Sequence, residues 1–474
     1  MPAHAAISHL SLEHLHAWDQ EHVWHAFTQM AEYEPLLIER GDGIFLFDTA
    51  GNRYIDGSAS MWCNVHGHRH PRLDAAVTTQ LGKVAHTTNL GLSNPTTIEL
   101  ARRLVEVSPP GLEKVFFSGD GSSAVEAALK IAFQYHLQAD DNKPENITKR
   151  TTFVALGEAY HGDTLGAIGV GGVDRFTAMF GPLTFDAIRV PTPGLPAGPP
   201  PPSDGGPRTD PSGQAATASE TLSRLEQLFV AQSDSIAAVI MEPLVQAAGG
   251  ILVHPPGFLR AVRDLTSRYG ILLILDEIAV GFGRTGRMFA CEHEDVCPDI
   301  LCLGKGLTAG YLPMAATLTT DTIWRAFLGS HADGRAFYHG HTFGGNQLAA
   351  AVALESLRLF EDEELLERLP GVISHLERQL QQLADLPHVG DIRQCGLMAG
   401  IDLVTTKETA EPYPWEERMG ARACLAARSH GALLRQLGDT VVIMPPLSIS
   451  VDELDMLIAA TAAGITSVTG LSGP

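Results

Sequence analysis

The stretch ILLILDEIAVGFGRTG, Ile271 to Gly286, decides the fold class. Its unbroken apolar start reads as a buried strand over Ile271–Glu277, because a strand covered on both faces carries no polar alternation. Asp276 then falls at the carboxyl edge, the side of an open α/β sheet where ligands bind. Working outward, Lys114–Ser118, Thr151–Leu156, Ile236–Glu242 and Ile300–Leu303 have the same Val, Ile, Leu and Phe density and read as companion strands. Between them lie helical stripes: Val125, Ala128, Leu129, Ala132 and Phe133 share one face, and Phe258, Leu259, Val262 and Leu265 share another. Strands alternating with helices predict an α/β chain with a mostly parallel sheet.

Two nucleotide motifs compete for the same stretch, and neither is complete. An apolar strand ending in Asp-Glu resembles a Walker B strand, but the partner loop GxxxxGK[ST] is missing and Lys305 is followed by Gly306. Gly281, Gly283 and Gly286 match GxGxxG literally, yet RMFACEHEDVCPD does not read as a helix opening on a pyrophosphate. A glycine-rich turn is the better reading.

Composition bounds the rest. The 474 residues carry 33 basic and 55 acidic side chains, a formal charge of −22, which argues against coating DNA or RNA phosphates. The start MPAHAAISHLSLEHLHAWDQ lacks the basic flank and apolar run of a signal peptide, and no apolar run approaches membrane-spanning length. Six cysteines are too sparse for a disulfide framework and fit a reducing compartment, so the expectation is a cytoplasmic protein without nucleic-acid or membrane partners. Pro191–Ser219, rich in Pro, Gly and Ser, reads as a surface loop within a continuing strand–helix rhythm. After Asn346, helical windows at Gln347–Phe360 and Leu365–Leu383 lead to a smaller α+β region and a terminal helix from Asp452.

Lys305 lies just past a buried strand between Gly304 and Gly306. A lysine there is costly as a charge and useful as a neutral amine. Alone it reads more readily as a solvated turn lysine, the commoner fate of a lone Lys. Paired with Asp276 it meets the two demands of pyridoxal phosphate, a Schiff-base lysine and a carboxylate for the pyridinium nitrogen. FFSGDGSSAVEAALKIA offers a phosphate cradle or an ordinary strand–turn–helix junction, with Ser123-x-x-Glu126 as a capping box at the helix start. Tyr160 in YHGDT is of a type to stack on a ring or simply to pack. Cys291, His293, Cys297 and Cys302 do not have a zinc spacing, and His66, His68 and His70 read as loop histidines.

Taken together, GDGSSAVEAALK, AYHGDT, IMEPLVQAAGG, LLILDEIAVGFGRTG, LGKGLTAGYLPMA and FYHGHTFGGNQLAA resemble, in family order, the class III, fold-type I pyridoxal-phosphate aminotransferases. The resemblance runs from about Trp24 to the C-terminus. It implies a large domain over 76–350, including the 191–219 loop, and a small α+β domain built from both chain ends, 1–75 and 351–474. It implies that Lys305 binds the cofactor and shuttles the proton, that Asp276 pairs with the pyridine nitrogen, and that Tyr160 covers the ring. Gly121 and Ser122 would hold the phosphate, with Thr342 of HGHTF reaching the phosphate of a neighbouring subunit, hence a homodimer with shared active sites. Asp163 would support the site and Glu242 would lie near it. Trp62, Tyr160, Gly340, Phe27 and Met61 would border the substrate, Arg435 would take its carboxylate, and Arg284 would lie near the pocket.

Within the class, HVWHAFTQM, WCNVHGHRHP, FACEHEDVCPDILCLGKGLT and LLRQLGDTVVIMPPL are similar to the branch that aminates 8-amino-7-oxononanoate in biotin synthesis. Three positions depart from the pattern that uses S-adenosylmethionine as donor. Met61 stands for Trp, and Phe27 and Val442 each stand for Tyr, which leaves fewer polar partners and is closer to a branch using L-lysine. The alternatives are another class III ω-amino acid or diamine aminotransferase working with pyruvate or 2-oxoglutarate, and a non-catalytic regulator on the same fold.

Overall fold

The five apolar runs form the centre of the molecule; four are buried along nearly their whole length, whereas Lys114–Ser118, at the sheet's edge, is half-buried up to Ser118. In this computed structural model, which describes residues 11–138, 149–193 and 217–470, a seven-stranded sheet has the order Lys114–Ser118, Ala315–Thr319, Ile300–Leu303, Leu272–Asp276, Ile236–Met241, Thr152–Leu156, Ile188–Val190. Ala315–Thr319 runs antiparallel to both of its neighbours, and the remaining pairs are parallel. Leu273, Ile274 and Leu275 are fully buried. Each such side chain contributes about 1.5–3 kcal/mol by leaving water. Register places Asp276 beside Cys302 and Leu275 beside Met241, so the strand ends are aligned at one edge.

Helices cover both faces. Gly121–Gln138 buries Val125, Ala128, Leu129 and Ala132 against the sheet, while Phe133 lies at the rim, 36% exposed, outside the stripe expected for it. Phe258–Arg268 buries Phe258, Leu259, Val262 and Leu265 as its spacing predicts. The expected capping box is corrected. Asp120, one residue before the helix, accepts the Ser123 N–H at 2.9 Å and the Ser123 hydroxyl at 2.9 Å. Glu126 instead accepts the Gly166 N–H at 2.8 Å, so the reciprocal bond is not made.

Two further sheets tie the ends of the chain together. Ile38–Asp42, Phe45–Asp48 and Arg53–Asp56 form a meander whose last strand pairs in parallel with Ala432–Leu433. Val389–Cys395, Met398–Thr406, Thr440–Ile443 and Arg435–Leu437 form an antiparallel sheet packed beside it. The helices Gln347–Asp362, Leu365–Leu383 and Val451–Thr469 complete this part. Positions 75/76 and 350/351, expected as boundaries, fall inside the continuous helices Pro71–Leu81 and Gln347–Asp362. Most of the Pro191–Ser219 loop, residues 194–216, lies outside the described residues. Among the described residues no helix is long and apolar enough to cross a membrane.

Candidate active site

Neighbouring parallel strands deliver the chemistry to one edge of the sheet. Tyr160, Glu242, Asp276 and Lys305 lie at or just past the carboxyl ends of Thr152–Leu156, Ile236–Met241, Leu272–Asp276 and Ile300–Leu303. Asp276 is buried, and both its oxygens are engaged. His161 Nδ1 donates to Oδ2 at 2.8 Å and the Ile278 N–H donates to Oδ1 at 3.0 Å. His161 is buried as well, and its other nitrogen, Nε2, has no hydrogen-bond partner.

Lys305 follows Gly304 with a φ of 42°, a left-handed conformation that costs an L-residue energy and persists only where tertiary structure imposes it. Burial pushes its ammonium below the usual lysine range, while Asp276 and Glu242 pull the other way. Its Nζ stands 5.1 Å from the centre of the Trp62 ring. Glu242 accepts the Tyr160 N–H at 3.3 Å and the Ala247 N–H at 3.0 Å, and burial raises its carboxyl to about 7.

The expected phosphate cradle is tightly built. Gly121 packs on Ile278 so closely that a Cβ would lie 2.9 Å from the Ile278 methyl. A Cβ on Gly162 would fall inside the Ser122 side chain, whose hydroxyl accepts the Asp163 N–H at 3.1 Å. The other oxygen-bearing end of Asp163 accepts the Tyr160 hydroxyl at 2.7 Å, and burial followed by this bond raises the Tyr160 pKa. Gly304 approaches the same Ile278 methyl, at 3.3 Å for a notional Cβ, and lies beside Gly121.

An aromatic path leads outward. Phe176 packs edge-on against Tyr160 at 5.8 Å and against Phe27 at 5.4 Å, and the Arg435 guanidinium lies 5.8 Å from the Phe27 ring. Burial lowers the Arg435 pKa, and its Nε is buried without an acceptor. A buried unpaired guanidinium nitrogen is a costly arrangement that a carboxylate would relieve. Val442 sits directly opposite Arg435 in the strand pairing and is wholly buried.

Trp62 and Met61 come from an unusual segment. Ala59, Ser60, Met61 and Trp62 have φ of 45°, 46°, 72° and 70°, a single turn wound left-handed. Its bonds run from the Trp62 N–H to the Ser58 carbonyl at 2.8 Å and from the Cys63 N–H to that of Ala59 at 2.9 Å. Such winding costs L-residues roughly 1–2 kcal/mol each. Trp62 is buried with its Nε1 unpartnered, while Met61 is 40% exposed.

Not every expected residue converges. Gly340 and Thr342 are exposed on the 334–346 segment, and among the described residues no hydrogen bond joins them to Lys305 or Asp276. Arg284 is buried, with its guanidinium donating to the carbonyls of Pro445 and Asn64, which makes it a clamp between segments rather than a free anion receptor. His161 was missed in the sequence, although its place beside Tyr160 after a buried strand was the available signal. Among the described residues, no group of three or more His, Cys, Asp or Glu could hold a metal ion.

Known proteins resemble this chain along nearly its whole length. The profile of the family described as Aminotransferase class-III matches residues 28–463. The adenosylmethionine-8-amino-7-oxononanoate aminotransferase of Nitratidesulfovibrio vulgaris is 51% identical over 458 residues, 96% of this chain and 82% of that one. The enzyme of the same name from Geobacter sulfurreducens is 48% identical, covering 96% and 98%. Among solved structures, that of the enzyme so named from Methanocaldococcus jannaschii superposes with a TM-score of 0.87 at 39% identity, covering 97% of this chain and 100% of the other. An omega transaminase from Pseudomonas jessenii, in complex with PMP, superposes with a TM-score of 0.86 at 30% identity, again covering 97% and 100%.

Proposed function

Since the chain belongs to the class III aminotransferases, we propose that it aminates 8-amino-7-oxononanoate to 7,8-diaminononanoate, a step of biotin synthesis. The names carried by relatives up to 51% identical support this substrate. The observation that carries it in the chain itself is the meeting of Lys305, Asp276 and Glu242 below the buried, unpartnered nitrogen of Arg435.

The cofactor is pyridoxal 5′-phosphate, as in the family. The residues fit it: Gly121 and Gly162 leave no room for a side chain, and the backbone amides opening the Gly121–Gln138 helix form an anion site. When bound, the cofactor supplies an aldehyde that takes up amines and a protonated ring that accepts electrons from the carbon losing its proton. Lys305 is the covalent attachment point. Its free amine would be the base that carries the proton at Nζ, and burial favours the neutral form needed for that task. Asp276 would hold the ring nitrogen's proton, and His161 fixes the Asp276 carboxylate by its 2.8 Å bond. Tyr160 covers the ring, with its hydroxyl held by Asp163. Arg435 receives the substrate carboxylate, while Trp62, Met61 and Phe27 border the substrate; Gly340, on the exposed 334–346 segment with Thr342, would border it across the dimer.

The amino donor is S-adenosylmethionine by the names of the relatives. L-lysine is the second reading, favoured by Met61, Phe27 and Val442, which offer a sulfonium fewer polar partners. The visible spectrum of the purified protein, recorded before and after each amine, tests both. Bleaching of the cofactor band by S-adenosylmethionine alone supports the first reading, and bleaching by lysine alone the second. Absence of any band, even with added pyridoxal phosphate, overturns the function.

A homodimer with shared sites completes the proposal. Leu81, Val84, Leu90, Leu92, Tyr338 and Phe343 are exposed. The His86 ring lies tilted against Phe343 with centroids 4.8 Å apart, so these two stretches lie side by side. Exposed apolar side chains gathered in this way support burial against a second copy, and Thr342, exposed beside Phe343, would reach the neighbour's phosphate. A cytoplasmic setting accords with this metabolic role.

A further inference from the structure

The left-handed turn at Ala59–Trp62 does not hold itself. Consecutive L-residues with positive φ are opposed by sterics at each position, so bonds from elsewhere must over-determine them. Those bonds converge on Asp56, the buried last residue of the Arg53–Asp56 strand. Its Oδ1 accepts the Ser60 N–H at 3.0 Å, and its Oδ2 accepts the Ser60 hydroxyl at 2.7 Å. His68 Nε2 donates to the same Oδ2 at 3.0 Å.

His68 is itself immobilised. Its backbone exchanges hydrogen bonds with Gly43 at 3.1 and 2.6 Å, and a Cβ on Gly41 would lie only 2.7 Å from the His68 Cβ. Asn64 closes the other end, accepting the Gly67 N–H at 2.8 Å and returning its own N–H to the Ala59 carbonyl at 3.0 Å. The product of this framework is the placement of two adjacent side chains. Trp62 is buried 5.1 Å from the Lys305 Nζ, and Met61 is left partly exposed beside it. Relaxing Ser60 to the ordinary right-handed region would turn both side chains to new directions.

We propose that Asp56 is a positioning residue for the choice of amino substrate: by holding the left-handed turn it sets where Met61 and Trp62 stand against Lys305, without touching substrate or cofactor. This rests on the transaminase reading above. It also assigns Ser60 a conformational role, since glycine accepts positive φ freely, alanine less so, and valine hardly at all.

The test compares wild type, Asp56→Ala, Asp56→Ala/Ser60→Gly and Ser60→Val as holoenzymes. Each is titrated separately with S-adenosylmethionine and L-lysine. Asp56→Ala is expected to retain the cofactor band while KM for the donor used by the wild type rises at least tenfold and kcat changes less. Ser60→Gly in that background is expected to recover at least threefold of the loss. Acrylamide quenching of Trp62, isolated by difference against the matching Trp62→Phe proteins, is expected to rise in Asp56→Ala and fall back in the double variant. Folded Asp56→Ala with wild-type KM and quenching overturns the inference. If Asp56→Ala does not fold, Ser60→Val decides, because Ser60 is exposed; a wild-type donor KM there overturns it equally. Wild-type protein that transaminates neither amine overturns the functional reading itself, an outcome distinguishable from both.

Discussion

Lys305 and Asp276 are the residues whose chemistry was most legible, because a lysine and a carboxylate at the ends of apolar strands are expensive unless used. Lys305→Ala is expected to abolish turnover; measurable steady-state transamination in that variant would contradict its role. Asp276→Asn is expected to keep the cofactor but slow the donor half-reaction by orders of magnitude in stopped-flow spectra, since a neutral amide cannot hold a proton on the ring nitrogen. An unchanged rate constant would contradict the electron-accepting role. What the sequence concealed were contacts between distant segments. His161 supports Asp276 and Asp56 supports Ser60, but nothing in local spacing distinguishes these from ordinary buried polar residues. The bonds of Arg284 were concealed in the same way. Its place in a motif suggested a pocket, but its hydrogen bonds go to carbonyls that only the folded chain brings near.

At the scale of the element, strands and helices followed their periodicity closely, because burial on both faces or on one stripe writes itself into residue spacing. Caps and turns did not. Asp120 displaced Ser123 as the cap since its carboxylate reaches both the amide and the hydroxyl of Ser123. The Ala59–Trp62 turn contains no glycine to announce it. A second buried carboxylate, Glu277, pins the short turn Ala290–Glu294 by accepting the Ala290 and Cys291 N–H groups at 2.7 and 2.8 Å. Burial raises its pKa to about 7. The folded form therefore holds a proton that the unfolded chain releases near pH 4.5. Its contribution is full below that pH and is lost as pH rises through about 7, by about 3 kcal/mol at roughly 1.4 kcal/mol per pKa unit. The melting temperature of wild type relative to Glu277→Gln is accordingly expected to fall between pH 5 and 8; a constant difference across that range would refute the shift.

At the scale of the molecule, the homodimer proposed above would bury the exposed apolar side chains around Phe343. Phe343→Asp is expected to shift sedimentation from dimer to monomer and to weaken pyridoxal phosphate binding at least tenfold, because Thr342 would no longer meet its neighbour. A monomeric variant with wild-type cofactor affinity would separate assembly from the site. The class of fold was legible because strand–helix alternation is a local property. The joining of the chain's two ends was legible only through the family resemblance, since no local spacing announces the pairing of Ile55 with Ala432 far along the chain. That pairing has a consequence for synthesis. At about 5–20 residues per second, the meander ending at Asp56 leaves the ribosome tens of seconds before the strand that covers its open edge has been made. Until then an unpaired strand edge is available to any other nascent chain. The early meander is thus a vulnerable stage of biogenesis, where chaperone occupancy would matter more than the stability of the finished enzyme.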